Sequence, residues 1–172
     1  MKYILVVLLA AVLAVNLRAG DKPEEGAKST PQFDKLKSLE GTWQGKDEEG
    51  KPVSVSYKLV SGGSSLMETL EMEQHADAMV TMYHLNGTKL MMTHYCSMGN
   101  QPRMQVKKAS MDENTLTFIY MDATNLADKN DTHMSKLVVT FKDSDHFEQD
   151  WTMSQDGKEA HHAVFAFERV KK

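Results

Sequence analysis

The strongest constraint on this chain is a succession of short segments in which apolar and polar residues alternate, beginning at Gly41 and separated by turn-forming residues. In one of these segments Val53, Val55, Tyr57 and Leu59 alternate with polar residues. A period of two places successive side chains on opposite faces of a β-strand. Many such segments at short spacing predict an antiparallel all-β domain.

The turn residues divide this part of the chain into about ten strands. The sharpest break is Asn86-Gly87, which we interpret as a two-residue hairpin turn. A meander of so many strands leaves two unpaired edges unless it closes on itself. We therefore predict an all-β fold, a single antiparallel up-and-down β-barrel rather than a sandwich, with strands at about 41–47, 53–60, 65–73, 78–85, 88–97, 103–109, 115–121, 133–142, 146–153 and 160–170.

We interpret the N-terminal residues as a targeting segment followed by a leader, and not as part of the folded domain. Lys2 precedes an apolar run and Ala19 offers a cleavage site, so we interpret residues 1–19 as a secretory signal peptide. The run is shorter than the about 20 apolar residues that span a bilayer; an uncleaved N-terminal anchor is the alternative. We expect a flexible leader at 20–30, a barrel domain at 31–172, a periplasmic or secreted location, and no stable membrane insertion once the signal is removed.

A short helix is predicted just before the first strand. Thr30 is a suitable N-cap and Pro31 is favoured at the first helical position. Phe33, Leu36 and Leu39 recur at a spacing that places them along one edge of this helix. We expect the helix to close one end of the barrel.

The charge and the cysteine content exclude several classes of function. The chain has 20 Lys and Arg against 24 Asp and Glu, a net charge of −4 and a pI near 6.0. Without a basic run, this balance excludes a nucleic-acid interface and attraction to an anionic membrane surface. Cys96 is the single cysteine, so no intramolecular disulfide can form and the core alone must stabilise the fold.

A resemblance to a known superfamily rests on the two ends of the predicted barrel. Gly41-Thr42-Trp43 resembles the Gly-X-Trp signature of the calycin superfamily, and Arg169 lies where those families place a basic residue over that Trp. The chain also resembles uncharacterised bacterial lipocalin-like proteins of unknown function at 82–87, 93–96 and 99–104. The resemblance implies a lipocalin-like barrel in which Trp43 and Arg169 are structural. The tight turn after the first strand favours the lipocalin-like or nitrobindin-like branches.

The hairpin turn also predicts which side chains of the central hairpin share a face. With Asn86-Gly87 as the turn, Thr81 lies opposite Met92. We take the face that carries His94 as inward, because the opposite choice would bury Lys89.

Several polar side chains then fall among apolar ones inside the predicted barrel. An apolar wall with a few convergent polar groups is typical of a small-molecule site. The alternative interpretation is that these groups satisfy one another or bind buried water. The residues that we expect to bind a ligand are Glu68, Tyr83, His94, Cys96, Asn100, Gln101, Trp151 and His161.

The predicted signal peptide and the inward polar residues together predict an exported protein that binds a small apolar or amphipathic molecule in the barrel. The nitrobindin-like resemblance leaves a haem-binding barrel as an alternative, since that family uses a histidine of the last strand as an iron ligand. His161 or His162 lies near the matching position, with His161 on the inward face. A third alternative is a small enzyme in which His94 or His161 forms an acid–base pair with Glu68. The sequence contains none of the familiar catalytic motifs, so we assign no catalytic residue, expect no cofactor other than that haem, and leave the oligomeric state open.

Methionine is frequent in this chain, with 13 in total. Several lie on the predicted central hairpin near His94 and Cys96, and soft sulfur ligands suit Cu(I). The pleat divides these methionines between two faces, however, and methionine also forms adaptable pocket walls. We therefore favour an adaptable apolar wall and assign no metal ligand; the methionines concerned are Met79, Met82, Met91, Met92 and Met98.

Overall fold

The computed structural model describes residues 29–107 and 114–171. The predicted signal peptide at 1–19 and the leader up to residue 28 lie outside the described residues. The described elements are an α-helix, α1 (Pro31–Lys37), a 3₁₀ turn at Ser61–Gly63, and ten strands: β1 (Gly41–Lys46), β2 (Pro52–Val60), β3 (Ser65–Met72), β4 (Met79–Asn86), β5 (Lys89–Tyr95), β6 (Gln101–Val106), β7 (Thr115–Thr124), β8 (His133–Phe141), β9 (His146–Gln155) and β10 (Lys158–Arg169).

The ten strands form a closed antiparallel barrel in which each strand pairs with the next along the chain and β1 pairs with β10. Closure gives each of the ten described strands a partner on both sides. The predicted up-and-down barrel of about ten strands is confirmed. In the part of the chain that the structure describes, no helix is long and apolar enough to cross a membrane.

Helix α1 packs at the end of the barrel where β1 begins. The Thr30 side chain caps the helix by accepting a hydrogen bond from the backbone N–H of Phe33 at 3.3 Å. Phe33 and Leu36 are buried in the core. The chain then turns so that the Leu39 carbonyl accepts a hydrogen bond from Trp43 Nε1 at 2.7 Å. This end of the barrel is therefore closed by the helix and the residues after it.

Arg169 lies over Trp43 at the same end. Its guanidinium carbon is 3.9 Å from the centroid of the indole ring, a cation–π geometry. Gly41, with φ at +129°, runs close beneath it, because a Cβ there would come within 3.2 Å of Arg169 Nη1. All three guanidinium nitrogens donate to backbone carbonyl oxygens at 2.9 to 3.0 Å, those of Ser38, Glu40 and Ser144.

The register of the β4–β5 hairpin differs from the prediction. Asn86 pairs with Lys89, so Gly87 and Thr88 form the turn, and Thr81 lies opposite His94 rather than Met92. Gly87 has a positive φ of 61°, whereas Asn86 and Thr88 do not, which matches a turn with glycine at the first central position. The predicted register was wrong by two residues. Because a shift of two preserves alternation, the inward face was assigned correctly.

Candidate functional site

A cavity of about 270 Å³ opens at the end of the barrel away from Trp43. We call this open end the mouth of the barrel. The residues that line the cavity are Leu70, Met72, His75, Met79, His94, Cys96, Ser97, Met98, Met134, Trp151, Met153, His161, Ala163 and Phe165. A larger groove of about 710 Å³ lies outside the barrel along β1, β2 and β3, but none of the predicted ligand-binding residues lines it. The mouth cavity is therefore the candidate site.

His94 and Trp151 are the buried aromatic pair of this cavity. Their ring centroids are 4.7 Å apart and both side chains are almost fully buried. His94 Nδ1 lies 2.9 Å from Thr81 Oγ1. Burial lowers the pKa of His94 to about 4, so the imidazole is neutral at pH 7. A neutral imidazole has one nitrogen that donates and one that accepts a hydrogen bond.

A hydrogen-bonded network continues from this pair into the centre of the barrel. Trp151 Nε1 donates to Gln149 Oε1 at 3.1 Å. The amide nitrogen of Gln149 donates to Tyr57 Oη at 2.8 Å and to Glu68 Oε2 at 2.9 Å. Tyr83 Oη donates to the same carboxylate oxygen at 2.7 Å. The predicted Glu68 and Tyr83 thus lie beneath the cavity and are not among the residues that line it.

Glu68 carries the least satisfied group of this network. Its Oε1 atom is buried and has no hydrogen-bond partner within the described ranges. Burial raises the pKa of Glu68, while contacts with neighbouring side chains oppose that rise. Burial and the Glu68 charge both raise the pKa of Tyr57 and of Tyr83 well above the usual value. Both phenols therefore stay protonated and remain hydrogen-bond donors.

Thr81 lies between Glu68 and His94. The register places Glu68 of β3 opposite Thr81 of β4, and Thr81 opposite His94 of β5. The Thr81 hydroxyl is hydrogen-bonded to His94 and lowers the pKa of Glu68 against the larger effect of burial. The register thus places the histidine and the carboxylate considered as an acid–base pair on either side of one hydroxyl group.

The other predicted ligand-binding residues divide into two groups. Cys96 and His161 line the cavity. Asn100 lies in the turn beyond β5 and Gln101 begins β6. Asn100 Nδ2 donates to the Thr132 carbonyl at 2.9 Å, and Gln101 Nε2 donates to that of Gly99. Neither of these two amides reaches the cavity, and their role in binding stays a prediction.

Sequence reasoning missed two methionines that join the predicted His161 in a row at the mouth. Met134 of β8 lies opposite Met153 of β9, which lies opposite His161 of β10. Extending the alternation of β8 back from Leu137 would turn Met134 outward. A register shift between Met134 and Lys136 reverses the alternation, so Met134 lines the cavity. Met153 was accessible from sequence, because it continues the inward alternation of β9.

The cavity wall carries no fixed formal charge. In the stretches that the structure covers, the lining residues include five Met, three His and one Cys but no Lys, Arg, Asp or Glu. Burial also raises the pKa of Cys96, which favours the neutral thiol. Within the same stretches, no three His, Cys, Asp or Glu residues are grouped in a way that could hold a metal ion. The site therefore suits an uncharged molecule or a soft ligand.

Comparison with solved structures supports the fold. A protein of unknown function from the DUF3598 family of Nostoc punctiforme has a TM-score of 0.53 and 11% identity, over 78% of this chain and 49% of that one. Rv2717c from M. tuberculosis has a TM-score of 0.53 and 14% identity, over 84% of this chain and 100% of that one. The match spans about half the length of the Nostoc protein. At these identities the likeness concerns the fold alone.

A third structure, EF1p2_mFAP2b bound to DFHBI, has a TM-score of only 0.35 at 14% identity, over 78% of this chain and 96% of that one, and carries no argument. No protein-family model matches the sequence, and no curated protein does.

Proposed function

We propose that this protein binds a small, uncharged and mainly apolar molecule in the mouth of the barrel. The observation that carries this proposal is the cavity of about 270 Å³ with an apolar wall and the buried His94–Trp151 pair in that wall. Small-molecule pockets of about 300–1,000 Å³ are usual, so the ligand belongs at the small end of that range. The absence of fixed charge among the lining residues described above favours an uncharged ligand, because no opposite charge is available to offset its desolvation.

The hydrogen bond between His94 and Thr81 supports a hydrogen-bond donor on the ligand. Thr81 Oγ1 lies 2.9 Å from His94 Nδ1, and the direction of this bond depends on the imidazole tautomer. We propose the tautomer in which Nδ1–H donates to Thr81, which leaves the Nε2 lone pair as an acceptor. A ligand hydroxyl or N–H group would then bond to His94 Nε2.

We also propose that the chain is a calycin-like barrel that acts after export. The contact of Arg169 with Trp43 at 3.9 Å supports the superfamily resemblance, since it joins the Gly-X-Trp segment to the end of the last strand. The proposal of export rests on residues 1–19 of the sequence alone.

Haem fits this cavity less well than a smaller molecule does. His94 and His161 both line the cavity, which gives the haem alternative two candidate axial ligands. The cavity volume of about 270 Å³ is small for a porphyrin, however. No Lys or Arg among its described lining residues is available to pair with the porphyrin carboxylates. We therefore derive no step from haem.

The proposal is tested with N-phenyl-1-naphthylamine, an uncharged fluorescent dye with one N–H donor. Ala163 lines the cavity opposite Trp151, so Ala163→Phe fills it. Ala166 lies on the exposed face of the same strand, so Ala166→Phe is the matched control. We expect the full-length protein and the control to bind the dye, and Ala163→Phe to bind it at least about tenfold more weakly, a difference of about 1.4 kcal/mol. Equal binding by Ala163→Phe, or no binding by the unmodified protein, would contradict the proposal.

The hydrogen bond is tested separately with 1-phenoxynaphthalene, which replaces the N–H group of the dye by an ether oxygen. We expect the amine to compete better than the ether by a few-fold to about tenfold, the usual worth of one neutral hydrogen bond. His94→Phe should abolish that preference, because it removes the acceptor. A preference that survives in His94→Phe would show that another group binds the donor.

A further inference from the structure

We propose a second site at the mouth of the barrel, in which the sulfur atoms of Met134 and Met153 and the imidazole of His161 bind a soft monovalent metal ion, Cu(I). We call these three residues the rim triad. The proposal goes beyond the binding of an organic molecule beside His94 and Trp151, since it concerns another ligand and other residues of the same cavity.

The strand register brings the rim triad together. Met134 and Met153 are directly opposite one another, and so are Met153 and His161. Side chains opposite one another in antiparallel strands have Cβ atoms about 4.5–5.5 Å apart. All three line the same cavity. Because methionine has three rotatable side-chain bonds, both sulfurs can turn toward one ion beside the imidazole.

The donor atoms of the rim triad select a soft ion. Thioether and imidazole groups are uncharged ligands, and soft sulfur ligands favour Cu(I). Calcium and magnesium require oxygen ligands, and no carboxylate is found among the described residues that line the cavity. Met72, Met98 and Cys96 line other parts of the same mouth and offer further sulfur donors.

A negatively charged approach leads to the rim triad from outside. His161 also lines an outer groove of about 240 Å³, whose lining includes Asp47, Glu48, Glu49 and Lys51. Three carboxylates against one ammonium leave this approach net negative. Such a groove raises the local concentration of cations beside the site.

The competing interpretation is that these methionines have a purely apolar role. Substitution by leucine distinguishes metal binding from that role. Leucine keeps the apolar surface and about the same volume but removes the sulfur ligand. Met67 and Met82 provide a matched control, because they are also directly opposite one another on adjacent strands, but neither lines the cavity.

The experiment measures Cu(I) binding to the full-length protein under anaerobic, reducing conditions by competition with bicinchoninate, and Ag(I) binding by calorimetry. We expect one ion per chain, a loss of at least about tenfold in affinity for Met134→Leu/Met153→Leu, and no loss for Met67→Leu/Met82→Leu. Cys96→Ser should retain the ion. X-ray absorption should show sulfur scatterers that diminish in the rim variant.

Three results would overturn the proposal: no binding by the unmodified protein, equal affinity in the rim variant, or loss of binding in Cys96→Ser alone. The dye measurement separates this proposal from the preceding one. Because Met134 and Met153 line the same cavity as the proposed dye site, the two proposals are separated by measuring the dye and Cu(I) independently on the unmodified protein. Failure of the dye with retention of the ion would therefore contradict only the first proposal.

Discussion

The two ends of this barrel are built from the same ten strands but from different side chains. At the closed end, Trp43 packs edge-on against Phe147 with ring centroids 4.7 Å apart, and Phe147 stacks on Phe167 at 5.0 Å. The guanidinium of Arg169 covers the indole, and each of its three nitrogens donates to a backbone carbonyl group. At the open end, flexible methionines and imidazoles surround a cavity.

This difference separates stability from binding. Stacked aromatic rings with hydrogen-bonded polar groups form a rigid unit. The cavity at the open end reduces stability because its walls lack packing contacts. It also exposes nitrogen and sulfur atoms that can contact a ligand. We therefore expect substitutions at the closed end to reduce folding stability strongly, and substitutions at the mouth to change binding with little effect on stability.

The largest effect is expected from Trp43→Ala. Removing a buried tryptophan from a packed core costs about 3–5 kcal/mol of unfolding free energy, and here Arg169 also loses its aromatic partner. Urea denaturation followed by circular dichroism measures the loss. A loss below about 1 kcal/mol would contradict the assignment of this end as the main stabilising region.

An intermediate effect is expected from the protonation of His94. Its pKa is about 4 in the folded protein against 6.5 ordinarily, so the unfolded chain takes up a proton at a higher pH than the folded one. Stability should be fully retained above about pH 6.5 and should fall as the pH decreases toward about 4, by about 3 kcal/mol in all.

The measurement compares unfolding free energies of the unmodified protein and His94→Gln across this pH range. Burial raises the pKa of Glu68, which acts in the opposite direction by reducing stability as the pH rises above the ordinary value of 4.5. Because both proteins retain Glu68, its contribution largely cancels in the difference. His84→Gln is the control. A pH-independent difference between the unmodified protein and His94→Gln would show that the imidazole is not buried in its neutral form.

The smallest effect is expected from Met153→Leu at the mouth. This substitution conserves volume at a half-buried position, so it should cost less than about 1.5 kcal/mol. The same urea experiment measures it. A loss of unfolding free energy as large as that of Trp43→Ala would contradict the expected difference in stability between the two ends.

Much of the barrel was predictable because its signals are local. Alternation identified the inward residues Val55 and Tyr57, which are buried, and the segment from Gly41 to Trp43 located the closed end. The hairpin after β4 shows the limit: the turn uses Gly87 and Thr88, because the chain needs only one positive φ there. A two-residue error in register left the face correct but the partner of His94 wrong.

The sequence by itself determined the strand order, the helix and the tendency of each strand to present one apolar face, since a period of two and turn chemistry act over a few residues. Only the tertiary structure decided which side chains meet. The alignment of Glu68, Thr81 and His94 depends on the register of three strands, and the rim triad depends on an irregularity before Lys136. Register and bulges are set by packing across the closed barrel, between residues far apart in the chain.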